Sequence, residues 1–110
     1  MNIDNATPEP GTATCRTLQS PPPLFRLGQI VATRGVLKHL EHRGIAADPY
    51  LRRHVTGDWG AVPPEDARSN RFAVEHGARI LSSYDIAGER VWIITEADRS
   101  ATTLLFPSEY

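Results

Sequence analysis

Hydrophobic positions along the chain change their spacing near residue 78. Upstream, apolar side chains recur three and four residues apart, as on one face of a helix; downstream they fall in short β-branched and aromatic runs separated by turn residues. Before residue 24 there is no period at all. Met1 to Pro23 carries Pro, Thr, Ser, Asn and Gly with scattered apolar residues, a composition that buries too little surface to offset the entropy of ordering. Residues 1–23 therefore read as a flexible tail in which Pro21-Pro22-Pro23 is a stiff polyproline spacer, and residues 24–110 read as a single domain.

In the helical half, Thr33 offers an N-cap, Val36, Leu37 and Leu40 recur at helical spacing, and Gly44 supplies a left-handed stop, which predicts a helix over 34–43. Asp48-Pro49 opens a second helix with Asp as its cap, carrying the stripe Tyr50, Leu51, His54 and Val55 until Gly57. Pro63-Pro64-Glu65-Asp66 opens a third that runs to His76 and stops at Gly77. Its apolar members Ala67, Phe72, Ala73 and Val74 make a weak stripe, so a half-exposed helix is expected.

The last third predicts strands over 79–86, 90–96 and 101–106, turned by Ala87-Gly88-Glu89 and by Ala97 to Ser100, with Pro107 ending the pairing. Short connections make them antiparallel neighbours. The fold class is thus α+β: two to three helices on one face of a C-terminal three-stranded antiparallel meander. Residues 25–31 are either a fourth short strand or an extended lead-in.

Composition removes whole function classes. Hydrophobic residues at 40% and charged residues at 23% are ordinary for a globular domain. A net charge of −1 gives no bulk attraction to a polyanion, so nucleic-acid binding would need a local basic patch. The one cysteine, Cys15, excludes an internal disulfide and any multi-cysteine metal site. No apolar run approaches the roughly 20 residues of a membrane helix, and Met1-Asn2-Ile3-Asp4-Asn5 has no signal-peptide character. A cytoplasmic location without membrane association is expected. No P-loop, G-x-G-x-x-G, H-E-x-x-H or G-x-S-x-G occurs, and His39, His42, His54 and His76 lack cysteine partners; neither a cofactor nor a metal is expected.

Three constellations can carry chemistry. His54 with Gly57-Asp58-Trp59-Gly60 combines an imidazole, a carboxylate and an indole, which can serve as base, orienting partner and stacking wall. The same residues also suit a core plug, a turn cap and a packed helix face. Second, Glu96, Asp98 and Arg99, with Thr102 and Thr103, gather carboxylates, a guanidinium and hydroxyls around the last hairpin, suited to a metal or phosphate or to a solvated turn. Third, the arginine-rich set that includes Arg52, Arg53, Arg79 and Arg99 forms a phosphate-binding patch only if the second helix crosses the sheet near that hairpin.

Leu27-Gly28-Gln29-Ile30-Val31-Ala32-Thr33, His54-Val55-x-Gly57-Asp58-Trp59-Gly60, Trp92 to Thr103 and Pro107-Ser108-Glu109-Tyr110 together resemble small, functionally unassigned "plasmid-related" proteins of bacterial plasmids, phages and integrated elements. The resemblance implies a mobile-element setting and carries no catalytic residues. Helices followed by a meander, with Arg79, Tyr84 and Tyr110 at suggestive places, are also similar to RelE/ParE-type toxins, whose RelE-type members cleave RNA with basic and aromatic side chains on the sheet. Two expectations follow. The first is a non-enzymatic accessory protein that binds a protein or nucleic acid around Trp59 or the last hairpin, Tyr110 included. The alternative is a small ribonuclease in which Arg79 and Arg99 hold phosphate while His54 or Glu96 moves protons. Whether the chain is an enzyme, and its oligomeric state, stay open at this level.

Overall fold

The structure, a computed structural model, describes residues 21–110. The expected tail, Cys15 included, lies outside the described residues except for Pro21 to Pro23, which are exposed. In chain order the elements are β1 (Gln29–Ala32), α1 (Arg34–Arg43), α2 (Asp48–Val55), α3 (Pro64–His76), β2 (Ile80–Ile86), β3 (Glu89–Thr95) and β4 (Ala101–Leu105), closed by a 3₁₀ turn (Pro107–Glu109). The α+β class holds, but the sheet is mixed and four-stranded, in the order β1-β4-β3-β2. The meander pairs antiparallel as expected, Ile80 opposite Thr95 and Thr95 opposite Thr102. β1 instead runs parallel to β4, with Ile30 beside Thr102 and Ala32 beside Leu104.

Local chemistry sets most element ends. The Thr33 hydroxyl accepts from the Val36 N–H at the start of α1, and Gly44 ends it in the left-handed region. The first turn of α1 has no acid of its own. Glu109 supplies one from the far end of the chain, its Oε1 accepting from the Thr33 hydroxyl at 2.7 Å and from the Phe106 N–H at 2.8 Å. α2 begins one residue earlier than the Asp-Pro pair suggests, with Ala47 at the cap and Asp48 already helical. The expected strand at 25–31 starts only at Gln29, because Phe25 turns into the core and Gly28, at positive φ, presses on the backbone of Arg99 and Ser100.

Alternation along the strands gives the sheet two faces. Ile80, Ser82, Tyr84 and Ile86 of β2, Val91, Ile93 and Thr95 of β3, and Thr102 and Leu104 of β4 are buried on the helix-covered face. Val36 and Leu40 of α1 pack there with Tyr84, Ile86, Val91, Ile93 and Leu104, while Phe25, Trp59, Ala73 and Ile80 form a second cluster. On α3 the buried positions are Asn70 and Ala73, whereas Phe72, expected in the apolar stripe, is 60% exposed beside His76. No helix among the described residues is long and apolar enough to cross a membrane.

Candidate functional site

The deepest polar group is the His54 imidazole, fully buried where α2 crosses the sheet. Its Nδ1 meets the Ser82 Oγ at 2.5 Å and its Nε2 the Thr95 Oγ1 at 2.9 Å; Thr95 Oγ1 meets Thr102 Oγ1 at 2.7 Å, and Thr102 donates to the Leu27 carbonyl at 2.7 Å. The last partner orients every proton before it. A carbonyl can only accept, so the Thr102 proton is committed to Leu27, and Thr95 must donate to Thr102. Thr95 then accepts from a protonated Nε2. The neutral imidazole thus has one tautomer, its bare Nδ1 accepting from Ser82. Burial, aided by the positive charge of Arg99, lowers its pKa from 6.5 to about 4. A base enclosed in this way, with the Phe25 ring edge-on at 5.1 Å, joins α2 to three strands and has no open path to a substrate.

The turn that follows is spent on the fold as well. Arg53 grips Asp58 with Nε–Oδ2 at 2.7 Å and Nη2–Oδ1 at 3.3 Å, which holds the Asp58 carboxyl below its usual range. The Arg53 guanidinium also lies 4.6 Å from the centre of the Tyr84 ring, and the Tyr84 hydroxyl donates to the Asp58 carbonyl at 2.6 Å. Burial pushes the Tyr84 phenol up to about 12. Tyr84 thus belongs to the core. Trp59 is buried with its indole N–H unpaired among the described residues. Gly60 is required here, since at φ 73° a Cβ would strike the Ser83 carbonyl, against which residues 59–61 run as a short parallel bridge.

In the last hairpin, Arg99 adopts a left-handed φ of 61° and turns inward. Its guanidinium donates to the carbonyls of Ala73 at 2.8 Å, Ala78 at 2.7 Å and Glu96 at 3.1 Å, so it closes the C-terminal end of α3. Asp98 accepts from the Ser100 N–H at 3.0 Å, and its bonds to Ser100 hold its carboxyl below the usual range. Among the described residues, no three histidine, cysteine or acidic side chains gather closely enough to hold a metal ion.

Arg79, Glu96 and Tyr110 do come together, on the face that the helices leave open. Arg79 donates to the Tyr110 hydroxyl at 2.8 Å and to Glu96 at 3.3 Å, and the Tyr110 ring lies 5.7 Å from Trp92. Thr103 shares this face with Val31 and Ile94, its register neighbours. His54 and Arg99 are on the other side of the sheet. The basic set is likewise dispersed: Arg53 pairs with Asp58, Arg79 with Glu96, and Arg99 with backbone carbonyls.

The two edges of the sheet differ in a way no single motif signals. On β2, Asn70 closes the outward side of Leu81 like a strand, Nδ2 donating to its carbonyl at 2.8 Å and Oδ1 accepting its N–H at 3.1 Å. The outward side of Ser83 is taken by the Trp59 carbonyl at 3.0 Å and the Ala61 N–H at 2.8 Å. Among the described residues, β1 has no such cover. Gln29 and Thr33 donate to Ser100 and Leu104 of the β4 side, each at 3.0 Å, so Ile30 and Ala32 present their N–H and C=O groups outward. Ile30 and Val31 are 45% and 42% exposed.

Beside this edge lies a groove of about 750 Å³ lined by Leu24, Phe25, Arg26, Leu27, Ile30 and Val55. It continues past Leu27 and Val55 into a hollow of about 360 Å³ bounded by Asp48, Leu51 and Arg52. No protein family, curated protein or solved structure matches the chain. The surface must therefore be read from its own chemistry. The available sequence signal was Gln29-Ile30-Val31-Ala32, a β-branched run without the charge or proline that ordinarily blunts an exposed edge.

Proposed function

We propose that the protein is a non-catalytic interaction module of a bacterial mobile genetic element, engaging a protein partner along the β1 edge and the apolar groove beside it. The mobile-element setting rests on the motif resemblance. The protein partner rests on one observation: the fold closes the β2 edge at Leu81 and Ser83 and leaves the β1 edge, with two exposed β-branched side chains, unpaired among the described residues. Unsatisfied backbone groups along a strand select another strand, because main-chain donors and acceptors then pair in register. An apolar groove beside them suits side chains better than it suits phosphates.

The Arg79–Glu96–Tyr110 group beside Trp92 favours the second reading, a RelE-like ribonuclease, since a guanidinium, a carboxylate and aromatic rings share an open sheet face. Neutralisation of Arg79 by Glu96, and the inward positions of His54 and Arg99, weigh against it. Two measurements separate the readings. A photocrosslinking amino acid in place of Ile30, incorporated in bacterial cells that carry the element, should form a discrete protein adduct that one in place of Glu89 does not. Induced expression should leave growth and bulk RNA intact; RNA fragmentation abolished by Arg79→Ala would move the function to the open face.

A further inference from the structure

The occupant of the β1 edge can be specified further, on the reading that this edge is the docking surface. We infer that β1 takes an extended acidic peptide as a fifth strand, with every second side chain apolar and directed into the groove. Ile30 and Ala32 offer two outward N–H and two outward C=O groups, spaced as one strand requires. Side chains of an added strand on the Ile30 side would meet Leu24, Leu27 and Val55.

Charge selects the sign of the partner. Arg26 and Arg52 line the continuous groove and Arg34 lies two residues beyond the strand, against one acid, Asp48. None of the three arginines forms an ion pair among the described residues. Carboxylates flanking the apolar positions of an incoming strand would find guanidinium partners at both ends of β1.

A second copy of this chain suits the edge less well. Antiparallel pairing of Ile30 with Ala32 of a second copy sets Arg34 of each opposite Gly28 of the other. That places it one pleat from Arg26, with like charges at both ends of the new pair. Nucleic acid would match the arginines but not the strand spacing of the backbone groups or the apolar lining.

The test uses the full chain and a fluorescent heptapeptide, Asp-Val-Glu-Val-Thr-Ile-Asp, with a control in which every acid is Lys. The acidic peptide should bind at least about tenfold more tightly than the control. At saturation it should slow amide exchange of Ile30 and Ala32 by about tenfold or more while leaving Leu81 and Ser83, already bonded, unchanged. Ala32→Pro removes one outward N–H without touching the ladder to β4, and Arg26→Glu reverses an exposed charge. Each should weaken binding by about tenfold.

Equal binding of the two peptides, or binding mapped away from β1, overturns the inference. So does concentration-dependent dimerisation that protects Ile30 and Ala32 without peptide, which would assign the edge to a second copy. If the peptide fails while the crosslink from position 30 persists, only the acidic-strand chemistry falls. If both are absent, the interaction-module reading falls with it.

Discussion

His54 makes the fold acid-labile by an amount the structure sets. Protonating the imidazole adds a proton at Nδ1, which now accepts from Ser82, and places a charge where burial and Arg99 both oppose it. The folded chain therefore binds this proton only near pH 4, whereas an unfolded imidazole binds it near 6.5. Because the unfolded state takes up the proton first, stability is full above about pH 6.5 and falls as pH drops towards 4. At about 1.4 kcal/mol per factor of ten in proton affinity, the loss is about 2 kcal/mol by pH 5 and about 3 kcal/mol at pH 4. For a domain of this size that is a sizeable fraction of the whole stability.

Urea unfolding followed by the fluorescence of Trp59 and Trp92 at pH 7.5, 6.5, 5 and 4 measures the effect. A parallel series on His54→Gln separates it from exposed carboxylates and the other histidines, since the variant keeps hydrogen-bonding capacity and has nothing to titrate. The native chain should lose about 2 kcal/mol more than the variant between pH 7.5 and 5. Parallel pH profiles for the two, or a His54 ring whose NMR signals titrate near 6.5, would show that the imidazole is not enclosed as described.

Substitutions at three other positions probe the parts that hold the surface in place. Asn70→Ala uncovers the N–H and C=O of Leu81, and should cost about 2 kcal/mol in denaturant unfolding while promoting self-association visible in sedimentation. Arg99→Ala strips the Ala78 carbonyl of its donor and leaves the Ala73 carbonyl to the backbone N–H groups of Gly77 and Ala78, with an expected cost of about 1–3 kcal/mol, and Arg99→Lys should recover only part because one ammonium cannot span the same set. Ala87→Asn should instead raise the melting temperature, by an amount equivalent to roughly 0.5–1 kcal/mol. Ala87 sits at φ 51° in a two-residue hairpin turn that favours Asn.

What the sequence made legible was local. Thr33 and Gly44 bound α1, Pro64 and Gly77 bound α3, and the period-two runs mark the meander, because each signal acts within one turn or one strand. What it concealed depends on residues far apart in the chain. The parallel pairing of β1 with β4 joins positions more than 70 residues apart with no turn to announce it. Arg99 has the composition of a surface hairpin residue, and only the arrival of α3 carbonyls above it turns it inward. His54 lies on the apolar stripe of α2 as its spacing predicts, yet its burial and its tautomer depend on Ser82, Thr95 and Thr102 on three strands. The Pro107-Ser108-Glu109-Tyr110 end makes sense once Glu109 is seen at the start of α1. Asn70 gave no sign that it would stand in for a strand.

The buried chain and the open edge meet at Leu27, and this makes acid sensitivity a reporter of docking. The proton order that fixes the His54 tautomer ends on the Leu27 carbonyl, while the Leu27 side chain forms the wall shared by the groove and its extension. A ligand seated there binds the folded chain and not the unfolded one, so at a hundredfold excess over its Kd it should stabilise the fold by about 2.7 kcal/mol. That roughly offsets the whole loss expected from His54 at pH 5, provided the ligand stays charged at that pH. The acid midpoint should therefore move down in the presence of the acidic peptide and not in the presence of its lysine control. In Ala32→Pro, which binds about tenfold more weakly, the stabilisation at the same peptide concentration should drop to about 1.4 kcal/mol and the shift to about half. A shift equally large in that variant would mean the peptide stabilises the chain from some surface other than the β1 edge.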